Sequence, residues 1–232
     1  MNEKSIVCER IFKNAKKFQK SLDDAPIAWY NNKCYETNVI YQKESNMPPK
    51  VRYTREEISQ AAYELVRKYG KDLLTARSLA TTLKTSTAPI FTAFSSIDEV
   101  MESVKEKAFA LYSEYIADGL REPMPFKATG LKYIQFAKDE PELFRLLFMG
   151  APENCPSGDF VPAGDSNSPY VQSALEEFWG INSDKAKRIY NHLSIYCHGI
   201  AVLIVQKSAR FSDEEIDRML SEIFYALKGD TK

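Results

Sequence analysis

The chain is 232 residues long, 44% hydrophobic and 27% charged, with a formal net charge of −1. That length suffices for one large or two small domains, and the composition is that of an ordinary globular protein. It excludes a membrane-spanning chain, since no window reaches the roughly 18 apolar residues that a spanning helix needs.

The near-zero charge conceals an asymmetry. Residues 1–95 hold 16 Lys and Arg against 10 Asp and Glu, whereas residues 96–232 hold 15 against 22. A basic front on an acidic rear suggests that the front meets a polyanion. Cys8, Cys34, Cys155 and Cys197 are far apart with no Cys-x-x-Cys spacing, which fits reduced thiols. Met1 to Lys20 lacks the apolar run of a secretion signal, so the expected location is cytoplasmic.

Residues 1–46 are read as an N-terminal extension, either poorly ordered or a short helix. Ile6, Phe12, Ala15 and Phe18 stand among six basic residues, but Pro26 and the Asn31-Asn32 pair do not continue that pattern. Met47-Pro48-Pro49-Lys50 looks like an alternative start of the domain. A membrane-surface or nucleic-acid arm is the sharper alternative for this segment.

From Thr54 onward the periodicity is helical. Ile58, Ala61, Ala62, Leu65, Val66 and Tyr69 mark one helical face, with a Thr54/Glu57 capping box at its start and Gly70 as its stop. Thr75 caps a short helix through Leu83, and a third runs from about Thr87 to Phe94. Ser96 with Glu99 forms another capping box. The long helix that follows carries Ile97, Val100, Met101, Val104, Ala108, Leu111, Tyr112 and Tyr115.

Phe126 to Ala137 and Glu140 to Met149 read as helices, with Pro141 in the first turn of the second. Gly150 to Pro169, with four prolines, reads as a loop. A helix resumes near Ser168 and stops at Gly180. Ser183 caps a long one bearing Ala186, Ile189, Tyr190, Leu193, Cys197, Ile200 and Ile204. Ser212 with Glu215 caps the last, which bears Ile216, Met219, Leu220, Ile223, Phe224 and Leu227. The predicted class is all-α.

Thr75 to Phe94 has the anatomy of a helix-turn-helix. Leu79, Leu83, Ile90 and Phe94 face inward, Ala80 permits a close crossing, and Lys84-Thr85-Ser86 make the turn. Ser86 or Thr87 caps the second helix, leaving Thr87, Ala88, Pro89 and Thr92 outward. A helix held this way offers its first turn to the major groove and its amides to phosphate.

In these residues the chain resembles the TetR family of regulators. Gly70, Thr75, Arg77, Leu79, Ala80, Ser86, Phe91 and Phe94 stand in register with that family's DNA-binding domain over about Tyr53 to Val100. Tyr133 to Ala137, Pro141 to Phe148 and His198-Gly199 resemble a subgroup with a Trp-His-Gly-like motif in its C-terminal domain. The resemblance implies a three-helix DNA-binding domain over 47–96 and a helical ligand-binding and dimerisation domain over 97–232. The chain departs from the family at three places. Lys84-Thr85 replaces a Gly-Val pair, which is expected to loosen the turn. Ala93 replaces an aromatic or His that contacts phosphate, and Ile97 replaces a backbone-gripping Lys.

The resulting expectation is a transcriptional regulator, by family habit a repressor. It binds a palindromic double-stranded DNA operator as a homodimer and is released by a small, partly apolar effector. Lys50, Arg52, Thr75, Arg77, Lys84, Ser86, Thr87, Ala88, Pro89, Phe91 and Thr92 are the candidate DNA contacts. Arg77 has a structural alternative as the partner of Glu64 or Asp72, and Phe91 is expected to pack at the helix edge. Phe109, Tyr112, Tyr133, Phe136, Phe148, Trp179, Tyr196 and His198 are the candidate effector contacts. The last two long helices are apolar on a second side, at Ile195, Val202, Val205 and Tyr225, which suits a four-helix dimer interface.

The alternative is a helical ligand-binding or protein-interaction dimer with a degenerate DNA-binding head. Enzymatic activity is not expected. His192 and His198 are six residues apart and complete no metal set, and no nucleophile–base pair emerges. Gly164-Asp165-Ser166-Asn167 imitates a hydrolase motif without its structural context. No cofactor motif is present.

Overall fold

The computed structural model describes residues 53–150 and 168–229. Every α-helix and 3-10 turn among them follows in chain order with no strand between: α1 Arg55–Tyr69, a 3-10 turn Lys71–Leu73, α2 Ala76–Thr82, α3 Ala88–Ala93, α4 Ile97–Leu120, α5 Pro125–Asp139, α6 Pro141–Phe148, α7 Ser168–Trp179, α8 Ser183–Val205 and α9 Asp213–Gly229. The all-α class holds for the described residues. Lys50, Arg52, the extension 1–46, Cys8, Cys34, Cys155, the Gly-Asp-Ser imitation and most of the proline-rich loop lie outside them.

The predicted caps set most boundaries. Thr54 accepts the Glu57 amide, and Glu57 accepts the Thr54 amide in return at 2.7 Å. Gly70 ends α1 at φ +87°, a conformation glycine adopts without steric cost. Two caps differ from expectation. Asn182, one residue earlier than Ser183, caps α8 through the Lys185 amide at 2.9 Å. Ser96 caps α4, but the Glu99 carboxylate reaches past it to the Ser95 amide at 2.6 Å. Tyr69, read as part of the buried face of α1, is exposed with Lys68 over its ring, and Tyr63 takes the buried place.

One apolar cluster runs from Ile58 through Val100, Val104 and Tyr112 to Ile200 and Phe224. Helix α4 is its spine, packing its first half on α1 and its second on α5. Helices α4 and α5 run antiparallel, because Gly119 lies against Thr129 while Tyr115 donates to Asp139 at 2.9 Å. The contact is as close as backbone allows: a Cβ at Gly119 would sit 2.8 Å from the Thr129 Cα and N. Helices α7, α8 and α9 close the far side of α5.

Helix α6 joins the first helix to the body. Glu140, nearly buried at the α5–α6 corner, accepts two hydrogen bonds from the Arg67 guanidinium of α1, that from Nε at 2.8 Å. Arg145 of α6 pairs with Glu142 and donates to the Val205 carbonyl at the end of α8, at 2.6 Å.

Candidate functional site

Helices α2 and α3 are short, and neither could persist alone. Their position comes from contacts with α1. Leu79, Ile90 and Phe94 are buried, with Ala80 at the crossing, as the sequence pattern requires. The Tyr53 hydroxyl donates to the Leu83 carbonyl at the end of α2. Arg55 does the same for α3: it donates to the Ala93 carbonyl at 2.6 Å, pairs with Glu99 of α4 at 2.7 Å and lies 4.0 Å over the Phe94 ring. Serving both Ser95 and Arg55, the Glu99 carboxyl is held down at about 2, chiefly by its bonds from Ser95. Sequence reading did not single out Tyr53 or Arg55. Both act on main-chain carbonyls, which leave no mark in a side-chain pattern.

The turn between α2 and α3 is tight. Thr85 N–H bonds the Ala80 carbonyl at 2.9 Å and Lys84 N–H bonds the Thr81 carbonyl at 3.1 Å, the two bonds of a Schellman closure. Lys84 occupies its left-handed position at φ +52°. The expected loosening by Lys84-Thr85 is therefore corrected: the turn keeps its hydrogen bonds, and the side chain carries about 1–2 kcal/mol of steric cost that a glycine would avoid.

Thr75 caps α2 through the Ser78 amide at 3.1 Å, and the Ser78 hydroxyl returns to the Thr75 amide. Thr87 stands at the N-cap position of α3, as one of the two expected residues, but only its main-chain carbonyl serves the helix, accepting from the Ile90 and Phe91 amides. Thr87 is already in helical conformation and makes no side-chain cap bond. The Ser86 and Thr87 side chains are left on the surface beside Ala88, with Pro89 half-buried. Thr92 bonds the Ala88 carbonyl of its own helix at 2.9 Å and is exposed. Phe91 is half-exposed rather than packed, a second correction.

Arg77 and Lys84 are exposed and form no ion pair among the described residues. The structural alternative for Arg77 is not met among the described residues: it pairs with neither Asp72 nor Glu64, and Glu64 accepts from Gln60 at 3.0 Å. Ala93 and Ile97 are half-buried against the core. The basic excess of the front is +6, of which residues 1–52 supply +4, with 10 Lys and Arg against 6 Asp and Glu.

The body holds a cavity of about 60 Å³ between α4, α5, α7, α8 and α9. At about 30 Å³ per water it has room for about two. Tyr112 and Tyr133 of the predicted effector contacts line it, with Phe126, Gly130, Leu175, Cys197, Leu220 and Phe224 among their neighbours. The other six predicted residues do not. Phe136 is fully buried between Tyr112 and Tyr115, and Phe109 and Phe148 pack edge-on to Tyr112. Trp179 lies tilted against Phe224, ring centroids 4.2 Å apart, behind the wall, and Tyr196 is a half-buried packing residue. His198 sits one layer out, with Nδ1 2.8 Å from the Tyr133 hydroxyl, and burial lowers its pKa. Of the predicted aromatic residues, only Tyr112 and Tyr133 reach open space, and the others pack around them.

Cys197 stands at the wall because Gly130 lets it approach: a Cβ there would meet its Sγ at 3.0 Å. Burial pushes the thiol up to about 12, so it stays protonated and unreactive. Lys127 is the one charged residue lining the cavity among the described residues, and its ammonium pairs with Asp217 of α9 at 2.5 Å. Sequence reading missed Lys127, Thr129, Ser194 and Leu220, which converge from three helices far apart in the chain.

On the outer side of α8 and α9, Ile195, Leu203 and Tyr225 are exposed, and Val202 is half-buried. Val205 belongs to the core, which corrects its expected place on that face. No helix among the described residues is long and apolar enough to cross a membrane. No protein-family model matches the chain, and no curated protein matches it.

Proposed function

We propose that the chain is a DNA-binding transcriptional regulator of TetR type, reading a palindromic operator as a homodimer and released by a small effector held in the body cavity. The outer face of α3 carries this reading. Its polar residues Thr87 and Thr92 and the methyl of Ala88 are exposed, no cap bond consumes the Thr87 hydroxyl, and the exposed cations Arg77 and Lys84, in no ion pair among the described residues, stand on the helix and turn that precede it. Short hydroxyls and methyls suit base edges, and exposed cations suit phosphate. Tyr53 and Arg55 hold the two helices rigidly enough for such contacts to have a fixed register.

Ile195, Leu203 and Tyr225 supply an apolar face for a second copy, through which two α3 helices reach grooves about 34–36 Å apart. An effector shifts this geometry only by binding one arrangement better than the other. Because Ala93 and Ile97 are turned into the core, phosphate contacts rest on Arg77, Lys84 and residues preceding Tyr53.

Salt-dependent fluorescence anisotropy on a duplex from the chain's own promoter region tests the reading. Arg77→Ala should weaken binding and reduce the salt slope by about 0.9. Thr87→Ala should lower the preference for that duplex over a scrambled one. Binding that ignores both substitutions sinks the proposal and favours the second reading, a ligand-binding dimer whose head no longer engages DNA.

A further inference from the structure

We propose that the outer face of α3 reads thymine methyl groups, so that each half-site is specified by where its T·A pairs fall and not by paired hydrogen bonds to guanine or adenine. This rests on reading Thr75 to Phe94 as a DNA-binding head and names the base chemistry that the head recognises.

Helix α3 carries no side chain able to make a paired hydrogen bond to a base. Guanine is read that way by Arg or Lys, adenine by Asn or Gln, and cytosine donates to Asp or Glu. None of these residue types stands between Thr85 and Phe94. The nearest cations, Arg77 and Lys84, belong to α2 and to the turn, where they suit phosphate.

What α3 does present is apolar. Thr87, Ala88, Phe91 and Thr92 are neighbours at helical spacings of three and four, and all are exposed, Phe91 to 50%. Ile90 and Phe94 are buried, so the opposite side of the helix is the one seated on the core. Thr92 donates its hydroxyl to the Ala88 carbonyl at 2.9 Å, which leaves its methyl for a partner. The patch is therefore two methyls and an aromatic ring, with the Thr87 hydroxyl at its edge.

The thymine C5 methyl is the apolar feature of a base edge in the major groove, and Ala, Thr methyl and Phe are side chains that pack on it. A polar base edge set against the same patch would lose its water and gain no partner. Phosphate contacts bring the duplex without reading its sequence. Discrimination then falls to methyl contacts, each contributing about fourfold in affinity.

Two random-sequence duplex libraries test the proposal, one polymerised with thymidine triphosphate and one with deoxyuridine triphosphate, which differ only in that methyl. The full chain is incubated with each, and the retained strands are sequenced. The thymine library should yield a repeat with T·A pairs at fixed positions in each half, and the uracil library should lose it. On the selected duplex, exchanging one such thymine for uracil should weaken binding about fourfold. A 5-methylcytosine·G pair at that position should bind more tightly than unmethylated C·G by a similar factor. Phe91→Ala should bind the thymine and uracil duplexes alike at the position that the ring covers. A repeat specified by G·C pairs, or one recovered equally from both libraries, overturns the inference and leaves the DNA-binding reading standing. No repeat from either library overturns both.

Discussion

The front helices and the body are held by opposite kinds of force. Helices α1 to α3 bury aliphatic side chains of moderate size, Ile58, Val66, Leu79 and Ile90, and polar contacts to the main chain complete their arrangement: Tyr53 on Leu83, Arg55 on Ala93, and the Schellman bonds around Lys84. The body is fixed by bulk. Tyr112 alone meets Phe109, Tyr133, Phe136 and Phe148 edge-on, with ring centroids 5.0–6.0 Å apart. Directional bonds give the front a defined outer face at small volume, which suits a rigid reading head. Aromatic packing around an imperfectly filled space gives the body a cavity, which suits a sensor. Arg67 with Glu140 is the one nearly buried ion pair that joins the two regions among the described residues.

Breaking that junction should have the largest effect. Arg67→Ala strands the Glu140 carboxylate, whose side chain is only 8% exposed, while Arg67 itself is 42% exposed. The cost should fall near the low end for a severed buried pair, about 3 kcal/mol, read from the urea midpoint. Conversion of both partners, Arg67→Met with Glu140→Leu, should recover most of it.

Next comes the body's closest helix crossing. Gly119→Ala drives a methyl into the Thr129 backbone and should cost about 2 kcal/mol, with no compensating rotamer available. A loss below about 0.5 kcal/mol would mean that α4 and α5 are further apart than described.

In the front, the directional account predicts a gain. Lys84→Gly relieves the left-handed turn residue and should stabilise by about 0.5–1 kcal/mol, after the larger entropy of unfolded glycine is set against it. The same change removes a proposed phosphate contact, so stability and DNA affinity should move in opposite directions.

The last prediction concerns pH. Burial depresses the His198 pKa below its ordinary 6.5, so the unfolded chain takes up a proton before the folded one. Stability from this source is complete above about pH 6.5 and is lost as pH falls through the folded value. Thermal unfolding should show a declining midpoint in that window, and His198→Phe should remove it. The depressed carboxyl of Glu99 acts only in more acidic solution, below about 4.5.

How far the sequence was readable follows the same division. Thr54, Thr75, Ser96 and Gly70 announce their boundaries because a cap is decided within four residues. The inward positions Leu79, Ile90 and Phe94 follow from helical spacing alone. The cavity wall does not. Phe136 and Phe148 share their type and neighbourhood with Tyr133, and only the approach of α7, α8 and α9 decides which of them meets open space. Lys127 was passed over because its partner, Asp217, is ninety residues away. Val205 was misplaced for a related reason: α8 is apolar on several sides, and Arg145 holds its end inward.

The account depends most on the exposed side of α3 meeting a duplex in a fixed register. Incubating the full chain with sheared genomic DNA and sequencing what it retains tests this directly. The account predicts recovery of an inverted repeat with half-sites about 10 base pairs apart, centre to centre, or a multiple of that, and loss of the repeat from the recovered pool with Thr87→Ala. Recovery of fragments with no shared repeat, or of none above a protein-free control, would contradict it.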